Sequence, residues 1–293
     1  MPCLSEPFPL DLFEAIVLGI VQGLTEFLPI SSSAHLRIVP ALLGWEDPGA
    51  AFTAVIQIGT LVAVLAYFRR DIARIGVAWV RGITTGKPLA ELDSQLGWMM
   101  IVATLPIVVC GLAFKDAIET TLRSLYVVAA ALIALAVVLA AAEVFMQRQR
   151  KSHREPRHLA EITWRDSIVM GLAQALALVP GSSRSGVTIT AGLFSGLSRE
   201  TAARFSFLLS LPSVLAAGVY QLYSEREALL GSQDDVIAIA VATLAALVSG
   251  YASIAFLLYY LKTRTTYIFV VYRIALGALI LYWLSTGALS AAS

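Results

Sequence analysis

Long apolar stretches with few charges dominate this sequence and limit the folds that it can adopt. A bilayer core of about 30 Å needs about 20 apolar residues in a helix. Six stretches have roughly this length, at about 51–68, 97–114, 124–146, 205–223, 236–261 and 267–284. Only 14% of the 293 residues are charged, whereas a soluble domain carries about 25%. The sequence therefore predicts an all-α integral membrane protein with six full transmembrane helices.

Two further apolar regions, at 11–45 and 164–196, are interrupted by helix-breaking and polar residues. The first is broken at Pro29 and at Ser31-Ser32-Ser33, and the second is broken between Pro180 and Gly186. Each region has the pattern of two short helices around a polar turn. Non-helical backbone at membrane depth persists only where protein buries it or where it lines a wet cavity. We therefore predict that both regions are re-entrant helical hairpins.

The charges between the apolar stretches predict how the chain is oriented in the membrane. The segments 69–96 and 147–163, both interpreted as loops, and the short loop at 262–264 are basic. Of the intervening loops, 115–123 has little net positive charge and 224–235 is acidic. Basic loops stay in the cytoplasm. We therefore expect both termini outside, with the first hairpin entering from outside and the second from the cytoplasm.

The two interrupted regions resemble each other, and each is followed by three predicted spans. The matching pairs are Gly19 with Gly171, Gln22 with Gln174, Pro29 with Pro180, and Ser32 with Ser183. Because three is an odd number, the second copy must lie inverted relative to the first. We predict a single membrane domain over 1–293, in which repeats at about 8–146 and about 162–287 have inverted topology. The two hairpins then meet inside the membrane.

The first interrupted region carries ionisable and nucleophilic side chains. Gln22 and Glu26 lie one helical turn apart on the same face, and an intramembrane carboxylate is functional by default, although Glu26 also suits a structural hydrogen bond. One hydroxyl of Ser31-Ser32-Ser33 is expected to cap the next helix, and the others suit an anion site at its N-terminus. His35 suits proton transfer or nucleophile activation, although a lone histidine is often only a satisfied core group.

The second interrupted region supplies Pro180-Gly181-Ser182-Ser183-Arg184-Ser185-Gly186. Its small residues let the backbone wrap an oxyanion, and the Arg184 guanidinium offers a planar pair of donors to phosphate. The alternative role for Arg184 is an ion pair with Glu26. The two turns together predict a phosphate site inside the membrane, and therefore an amphiphilic substrate with a phosphate head.

Three further charged residues lie within or beside the predicted helices. Arg273 and Glu143 lie within about two turns of the cytoplasmic ends of their spans, where a long side chain reaches the interface. We therefore interpret both as structural residues that extend to the membrane surface. Arg37 either assists anion binding or faces the headgroups, and the sequence does not decide between these roles.

The interrupted regions resemble those of the bacterial undecaprenyl-diphosphate phosphatase family, also called the bacitracin-resistance family. The similar segments run from Gln22 to His35, Phe52 to Gly59, Pro180 to Gly186 and Phe205 to Pro212, and the span pattern agrees over nearly the whole chain. The resemblance implies hydrolysis of undecaprenyl diphosphate to the monophosphate at the outer face of the bacterial cytoplasmic (inner) membrane. It also implies recycling of the lipid carrier for peptidoglycan synthesis, and resistance to bacitracin.

The resemblance also implies a divalent cation, Mg²⁺ or Ca²⁺, and assigns motif positions in this chain. The assigned positions are Gln22 and Glu26 in the acidic motif, Ser32, Ser33 and His35 in the serine–histidine segment, and Ser183 and Arg184 in the arginine motif. Gln22 departs from the most familiar form of the family, which has a glutamate there, so one anionic metal ligand is missing. A neutral amide oxygen still coordinates a hard cation.

The residues and the resemblance together define the candidate site. The predicted catalytic residues are Glu26, Ser32, His35 and Arg184. The predicted phosphate-binding residues are Ser31, Ser33, Ser182, Ser183, Ser185 and Arg184. Gln22 and Glu26 are the metal ligands that we consider. The nucleophile stays open between Ser32, His35 and a metal-activated water.

The alternative function is a transporter or flippase of polyprenyl-phosphate lipids, because inverted repeats with broken helices are typical of transporters. The expected partners are the polyprenyl diphosphate substrate and membrane lipids. A net charge of +1 gives no field that would attract nucleic acid. Gly19 and Gly23 repeat at the spacing of closely packed helices, which suits either packing within the chain or a homodimer.

Overall fold

The computed structural model describes residues 11–153, 155–224 and 232–290, and these form helices and turns without a β-strand. The α-helices are α1 (Leu12–Phe27), α2 (Ser32–Leu43), α3 (Gly49–Tyr67), α4 (Arg69–Thr84), α5 (Leu92–Ala113), α6 (Lys115–Glu119), α7 (Leu125–Lys151), α8 (Trp164–Ala175), α9 (Arg184–Phe194), α10 (Arg199–Ser224), α11 (Gln233–Thr263) and α12 (Tyr267–Thr286). Short 3-10 segments lie at Thr121–Arg123, Leu159–Glu161 and Leu176–Leu178. The all-α prediction is confirmed.

Five of the described helices are long and apolar enough to cross a membrane, namely α5, α7, α10, α11 and α12. The sixth predicted span, at about 51–68, corresponds to α3. This helix meets the same criteria only together with α4, from which it is separated by an 81° bend. The helices agree with the predicted stretches and extend beyond most of their ends. The fold is therefore that of a multi-pass membrane protein.

The interpretation of 69–96 as a loop is wrong, because most of this segment forms the helix α4. Ile75 and Ala78 are buried on one face of α4 while Val77 and Val80 are exposed. Apolar residues at helical spacing between basic ones are typical of an amphipathic helix, and counting charges alone overlooks that pattern. The positive charge used for orientation is unchanged, so the cytoplasmic assignment of this segment stays a prediction.

Both interrupted regions form helices around a turn, as the sequence predicts. In the first, α1 ends at Phe27 and α2 begins at Ser32. In the second, the turn lies between the 3-10 segment that ends at Leu178 and the start of α9 at Arg184. Re-entry from opposite faces stays a prediction. The positions of both termini, and residues 225–231 of the acidic loop, lie outside the described residues.

The two turns share a helix-capping geometry that supports the predicted repeat. Ser31 caps α2 with φ 76° and ψ 98°, and Ser183 caps α9 with φ 65° and ψ 106°. In both turns the serine hydroxyl accepts a hydrogen bond from the amide three residues later, in Ala34 and in Gly186. Positive φ is uncommon outside glycine. By its capping role, Ser183 therefore corresponds to Ser31, whereas the sequence match pairs it with Ser32. The inverted repeat itself stays a prediction.

Helix α1 packs closely against α11 through its two glycines. A Cβ on Gly19 would overlap the carbonyl of Ala242, and a Cβ on Gly23 would overlap the hydroxyl of Ser249 and the carbonyl of Ala246. Small residues let two backbones approach in this way. The glycine pair therefore serves packing within the chain and gives no support to the homodimer, which stays an untested prediction.

Helix α8 packs against α5 in the corresponding way, since a Cβ on Gly171 would lie 2.5 Å from the Ala103 carbonyl oxygen. The first helix of each interrupted region thus packs against a long helix from the other half of the chain. This reciprocal packing brings the two turns together inside the bundle.

We expect Gly19→Ala to destabilise the protein, because the added methyl group meets backbone atoms that cannot rotate away. Overpacking of this kind costs about 1–3 kcal/mol. Thermal unfolding in detergent, followed by tryptophan fluorescence, measures the loss as a lower midpoint. Gly76→Ala is the matched control, because a Cβ on Gly76 meets no atom within 4 Å. Equal midpoints for the two variants would contradict the close packing of α1 on α11.

Candidate active site

A buried ion pair joins the two turns. Arg184 Nη2 lies 2.8 Å from Glu26 Oε1, and the two side chains are 11% and 5% exposed. A lone buried charge is far more costly than a paired one, so each residue makes the burial of the other tolerable. The ion pair that the sequence offers as the alternative role of Arg184 is therefore present. It unites two residues that were predicted from different regions of the chain.

Glu26 uses its second carboxylate oxygen to accept hydrogen bonds from two side chains of the first region. Ser32 Oγ donates to Glu26 Oε2 over 2.8 Å, and Gln22 Nε2 donates to the same oxygen over 3.0 Å. Helix α1 places Gln22 and Glu26 one turn apart, and the start of α2 supplies Ser32. A hydroxyl that donates to a carboxylate has the geometry of a nucleophile beside its base.

Two further hydrogen bonds connect the turns through their serines. The amide of Gly181 donates to Ser33 Oγ over 3.1 Å, and Ser185 Oγ donates to the carbonyl of Leu28 over 3.1 Å. A helix break leaves backbone groups without partners within the helix, and these groups need other partners where they are buried. The serines of each turn therefore supply partners for the backbone of the other.

The remaining predicted serines mainly shape the turns. Ser31 and Ser183 are the helix caps, and their hydroxyls also contact Ser33 Oγ at 3.1 Å and Ser185 Oγ at 3.2 Å. The side chain of Ser182 is buried, and its carbonyl accepts a hydrogen bond from a distant arginine. Of these three, only Ser183 lines the cavity described next.

A cavity of about 170 Å³ adjoins the ion pair. The two turns contribute Glu26, Ser32, Ser33, Ser183 and Arg184 to its lining. Gln57 of α3 and Ser213 of α10 add polar groups that the sequence analysis did not select. The only signal for them is a polar side chain within an apolar span.

Two buried polar atoms at the site have no hydrogen-bond partner among the described residues, Arg184 Nη1 and Gln22 Oε1. An unpaired buried polar group costs about 1–3 kcal/mol, so such an atom needs an explanation. A donor on Arg184 is available to an anion, and an acceptor on Gln22 is available to a cation. Arg184 lines the cavity, whereas Gln22 lies behind it and contacts the Glu26 carboxylate.

His35 lies apart from this network. Its Nδ1 donates to the carbonyl of Ser31 over 2.7 Å, and its Nε2 lies 2.6 Å from the hydroxyl of Tyr272. Both ring nitrogens are thus engaged, and His35 is not among the residues that line the cavity. Tyr272 lies 237 positions away in the chain, and no local pattern signals this contact.

Arg273 does not extend to the membrane surface, contrary to the sequence interpretation. It is 1% exposed. Its Nη2 donates to the carbonyls of Ser182 at 3.0 Å and Gly181 at 3.3 Å, and its Nη1 reaches the carbonyl of Pro29 at 3.5 Å. Its guanidinium therefore ties both turns together, which is a structural role deep in the protein. Five donors on one planar group suit it to several carbonyls at once.

Glu143 is also buried rather than extended to the surface. It forms an ion pair with Arg199 of α10 and accepts a hydrogen bond from Thr266 Oγ1 over 2.9 Å. Glu143 has a structural role, as expected, but the prediction that it extends to the membrane surface is wrong. The sequence does not reveal its partner on α10, which makes the burial of its charge tolerable.

Arg37 lies outside the cavity lining. Its Nε lies 3.2 Å from Asp47 Oδ2, and its Nη1 donates to the carbonyl of Arg123 over 3.2 Å. These contacts connect α2 with the segment that follows it and with the segment before α7, so neither of the two roles left open by the sequence gains support.

Few residues at the site suit a metal ion. Within the described parts of the chain, no group of three or more His, Cys, Asp or Glu side chains is placed to hold one. The available oxygens are the Glu26 carboxylate and the unpaired Gln22 Oε1. These are the two ligands expected from the sequence, and an orphaned acceptor beside a carboxylate fits a hard cation that keeps other oxygen ligands.

The chain is similar to proteins of one family over nearly its whole length. The family model described as bacitracin resistance protein BacA matches residues 15–279. A protein from Chlorobaculum parvum named undecaprenyl-diphosphatase is 63% identical over 278 residues, covering 95% of this chain and 99% of that protein. A protein of the same name from Chlorobium limicola is 60% identical over 282 residues, covering 96% and 100%. On this evidence the chain belongs to the BacA bacitracin resistance protein family.

Proposed function

We propose that this protein hydrolyses undecaprenyl diphosphate to undecaprenyl phosphate and inorganic phosphate. The observation that carries the proposal is the meeting of Ser32, Glu26 and Arg184 at one cavity. A hydroxyl, a base and a phosphate-binding cation are the groups that phosphoryl transfer requires. Relatives about 60% identical over their full length bear the name of this activity.

Arg184 binds the terminal phosphate in this proposal. Its unpaired Nη1 is free for a phosphate oxygen, while Nη2 holds Glu26 in place. The first turns of α2 and α9 add backbone amides, since helix N-termini favour anions. Phosphoryl transfer depends mostly on positioning and charge stabilisation, and both are supplied by groups that the two turns hold fixed.

A divalent cation, Mg²⁺ or Ca²⁺, is part of the proposal. Gln22 Oε1 and the Glu26 carboxylate would hold it, together with oxygens of the substrate. When bound, the cation neutralises negative charge on the diphosphate.

Ser32 is the nucleophile in the proposed reaction. Its Oγ forms a bond to the terminal phosphorus while its proton passes to Glu26 Oε2, which lies 2.8 Å away. The bond from that phosphorus to the bridging oxygen breaks, and undecaprenyl phosphate leaves with the electron pair. Water then attacks the phosphoserine, inorganic phosphate is released, and a proton returns to Ser32 from Glu26.

His35 has a positioning role in this scheme and does not attack the phosphorus. Its Nδ1 holds the carbonyl of Ser31 at the start of α2, and Tyr272 occupies its Nε2. Nucleophilic attack would require one ring nitrogen to give up its partner. Ser32 needs no such rearrangement, which favours it over His35.

We further place the reaction at the outer face of the bacterial cytoplasmic (inner) membrane, with both termini outside. The basic segments between the spans support this orientation. There the enzyme would recycle the lipid carrier for peptidoglycan synthesis and remove the diphosphate form that bacitracin sequesters.

The transporter alternative is not favoured, because the relatives are named for a phosphatase.

Phosphate release by the purified protein from undecaprenyl diphosphate tests the proposed function. We expect release in the presence of Mg²⁺ or Ca²⁺, and a loss of about a hundredfold or more in Arg184→Ala and Glu26→Gln, since each removes a group that stabilises the reaction. Arg150→Ala changes an exposed arginine at the end of α7 and serves as the control. No release by the folded, unmodified protein, or an undiminished rate in Arg184→Ala, would overturn the proposal.

The cation requirement gives a separate prediction. Gln22→Leu removes the amide oxygen, so the Mg²⁺ concentration for half-maximal rate should rise by about tenfold. Gln22→Glu adds a charged ligand and should lower that concentration. Rates of phosphate release measured across a Mg²⁺ titration give this concentration for the unmodified protein and both variants. A dependence on Mg²⁺ that is the same in all three proteins would exclude Gln22 as a ligand.

A further inference from the structure

The cavity beside Arg184 has an apolar wall that the proposed chemistry does not use. Besides the polar groups, its lining includes Ile107 of α5, Ala177 of the 3-10 segment, and Val214 and Ala217 of α10. No charged side chain other than Glu26 and Arg184 occurs in the described lining. The cavity therefore combines polar and apolar groups, as an amphiphile does.

The apolar wall reaches the outer surface of the helix bundle. Ala217 is exposed, and Ile107 is half-buried. Large apolar side chains on the three elements around it are also exposed, including Val108, Leu176 and Leu215. An exposed apolar surface on membrane-spanning helices faces lipid chains. The apolar part of the lining thus leads from the interior site to an exposed apolar surface of the helix bundle.

Small side chains keep this connection open. Ala177 and Ala217 lie on different elements and both line the cavity. A phenylalanine at either position would fill space that the alanine methyl group leaves empty.

We propose, on the basis of the proposed function, that the isoprene units next to the diphosphate lie between α5, the Leu176–Leu178 segment and α10. The diphosphate is held at Arg184, and the prenyl chain leaves sideways into the bilayer past Ala177 and Ala217. The cavity of about 170 Å³ holds the head and the nearest isoprene units, and the rest of the chain stays in lipid. Ala177 and Ala217 are therefore specificity-determining residues for a prenyl diphosphate.

Kinetics of Ala177→Phe and Ala217→Phe test this route. Because the blocked contact binds substrate and transition state alike, KM for undecaprenyl diphosphate should rise while kcat stays near normal. The expected loss in kcat/KM is about tenfold or more. Ala252→Phe places the same side chain at an exposed position on α11 and should leave both constants unchanged. Unchanged kinetics in both route variants, or a fall in kcat alone, would overturn the inference.

Photo-crosslinking of the unmodified protein tests the inference without any substitution. The probe is farnesyl diphosphate with a diazirine on the isoprene unit next to the diphosphate. Mass spectrometry should find the crosslinks in 105–112, 176–178 and 214–219, and excess undecaprenyl diphosphate should suppress them. Crosslinks confined to other helices would overturn the proposed route even if phosphate release is normal. Crosslinks at these positions without phosphate release would instead contradict the proposed function.

Discussion

The ion pair between Glu26 and Arg184 is the interaction on which the site depends. The two residues lie 158 positions apart in the chain, in separate interrupted regions, and their charged groups are buried and 2.8 Å apart. Neither charge is tolerable there without the other. The same pair leaves one Arg184 nitrogen unused and sets Glu26 against the hydroxyl of Ser32. A contact that stabilises the meeting of two turns thereby also prepares a phosphate-binding group and a base.

The surrounding structure keeps this pair in position by satisfying the backbone that the helix breaks expose. Ser33 and Ser185 connect the turns directly, and Arg273 donates to carbonyls in both of them. Close packing of α1 on α11 and of α8 on α5 fixes the helices that lead into the turns. The site residues thus lie at the ends of helices whose positions are fixed by close packing. Precise positioning of reacting groups requires such fixed positions.

Local sequence patterns predicted much of this arrangement, because proline, serine and ionisable residues inside apolar stretches are both rare and costly. The breaks before Ser32 and Arg184 and the helix-capping serine of the first turn follow from such patterns, and the six long helices follow from the apolar stretches themselves. The features that were missed depend on contacts between distant parts of the chain. Tyr272 reaches His35, and Arg273 reaches both turns, only after the bundle has formed. The helix α4 was missed for another reason. Its many basic residues are typical of a loop between spans, although its apolar residues have helical spacing.

Transfer of the terminal phosphate to Ser32 is the central chemical claim, and trapping the phosphorylated enzyme tests it most directly. Undecaprenyl diphosphate labelled in its terminal phosphate would be mixed with the protein, the reaction quenched in acid within one turnover, and the protein digested for mass spectrometry. We predict an acid-stable label on Ser32 that is absent from Ser32→Ala, because a phosphate ester of serine survives acid. Full turnover with no label on Ser32, or a label on His35 that survives only when the reaction is quenched in base, would contradict the proposed mechanism.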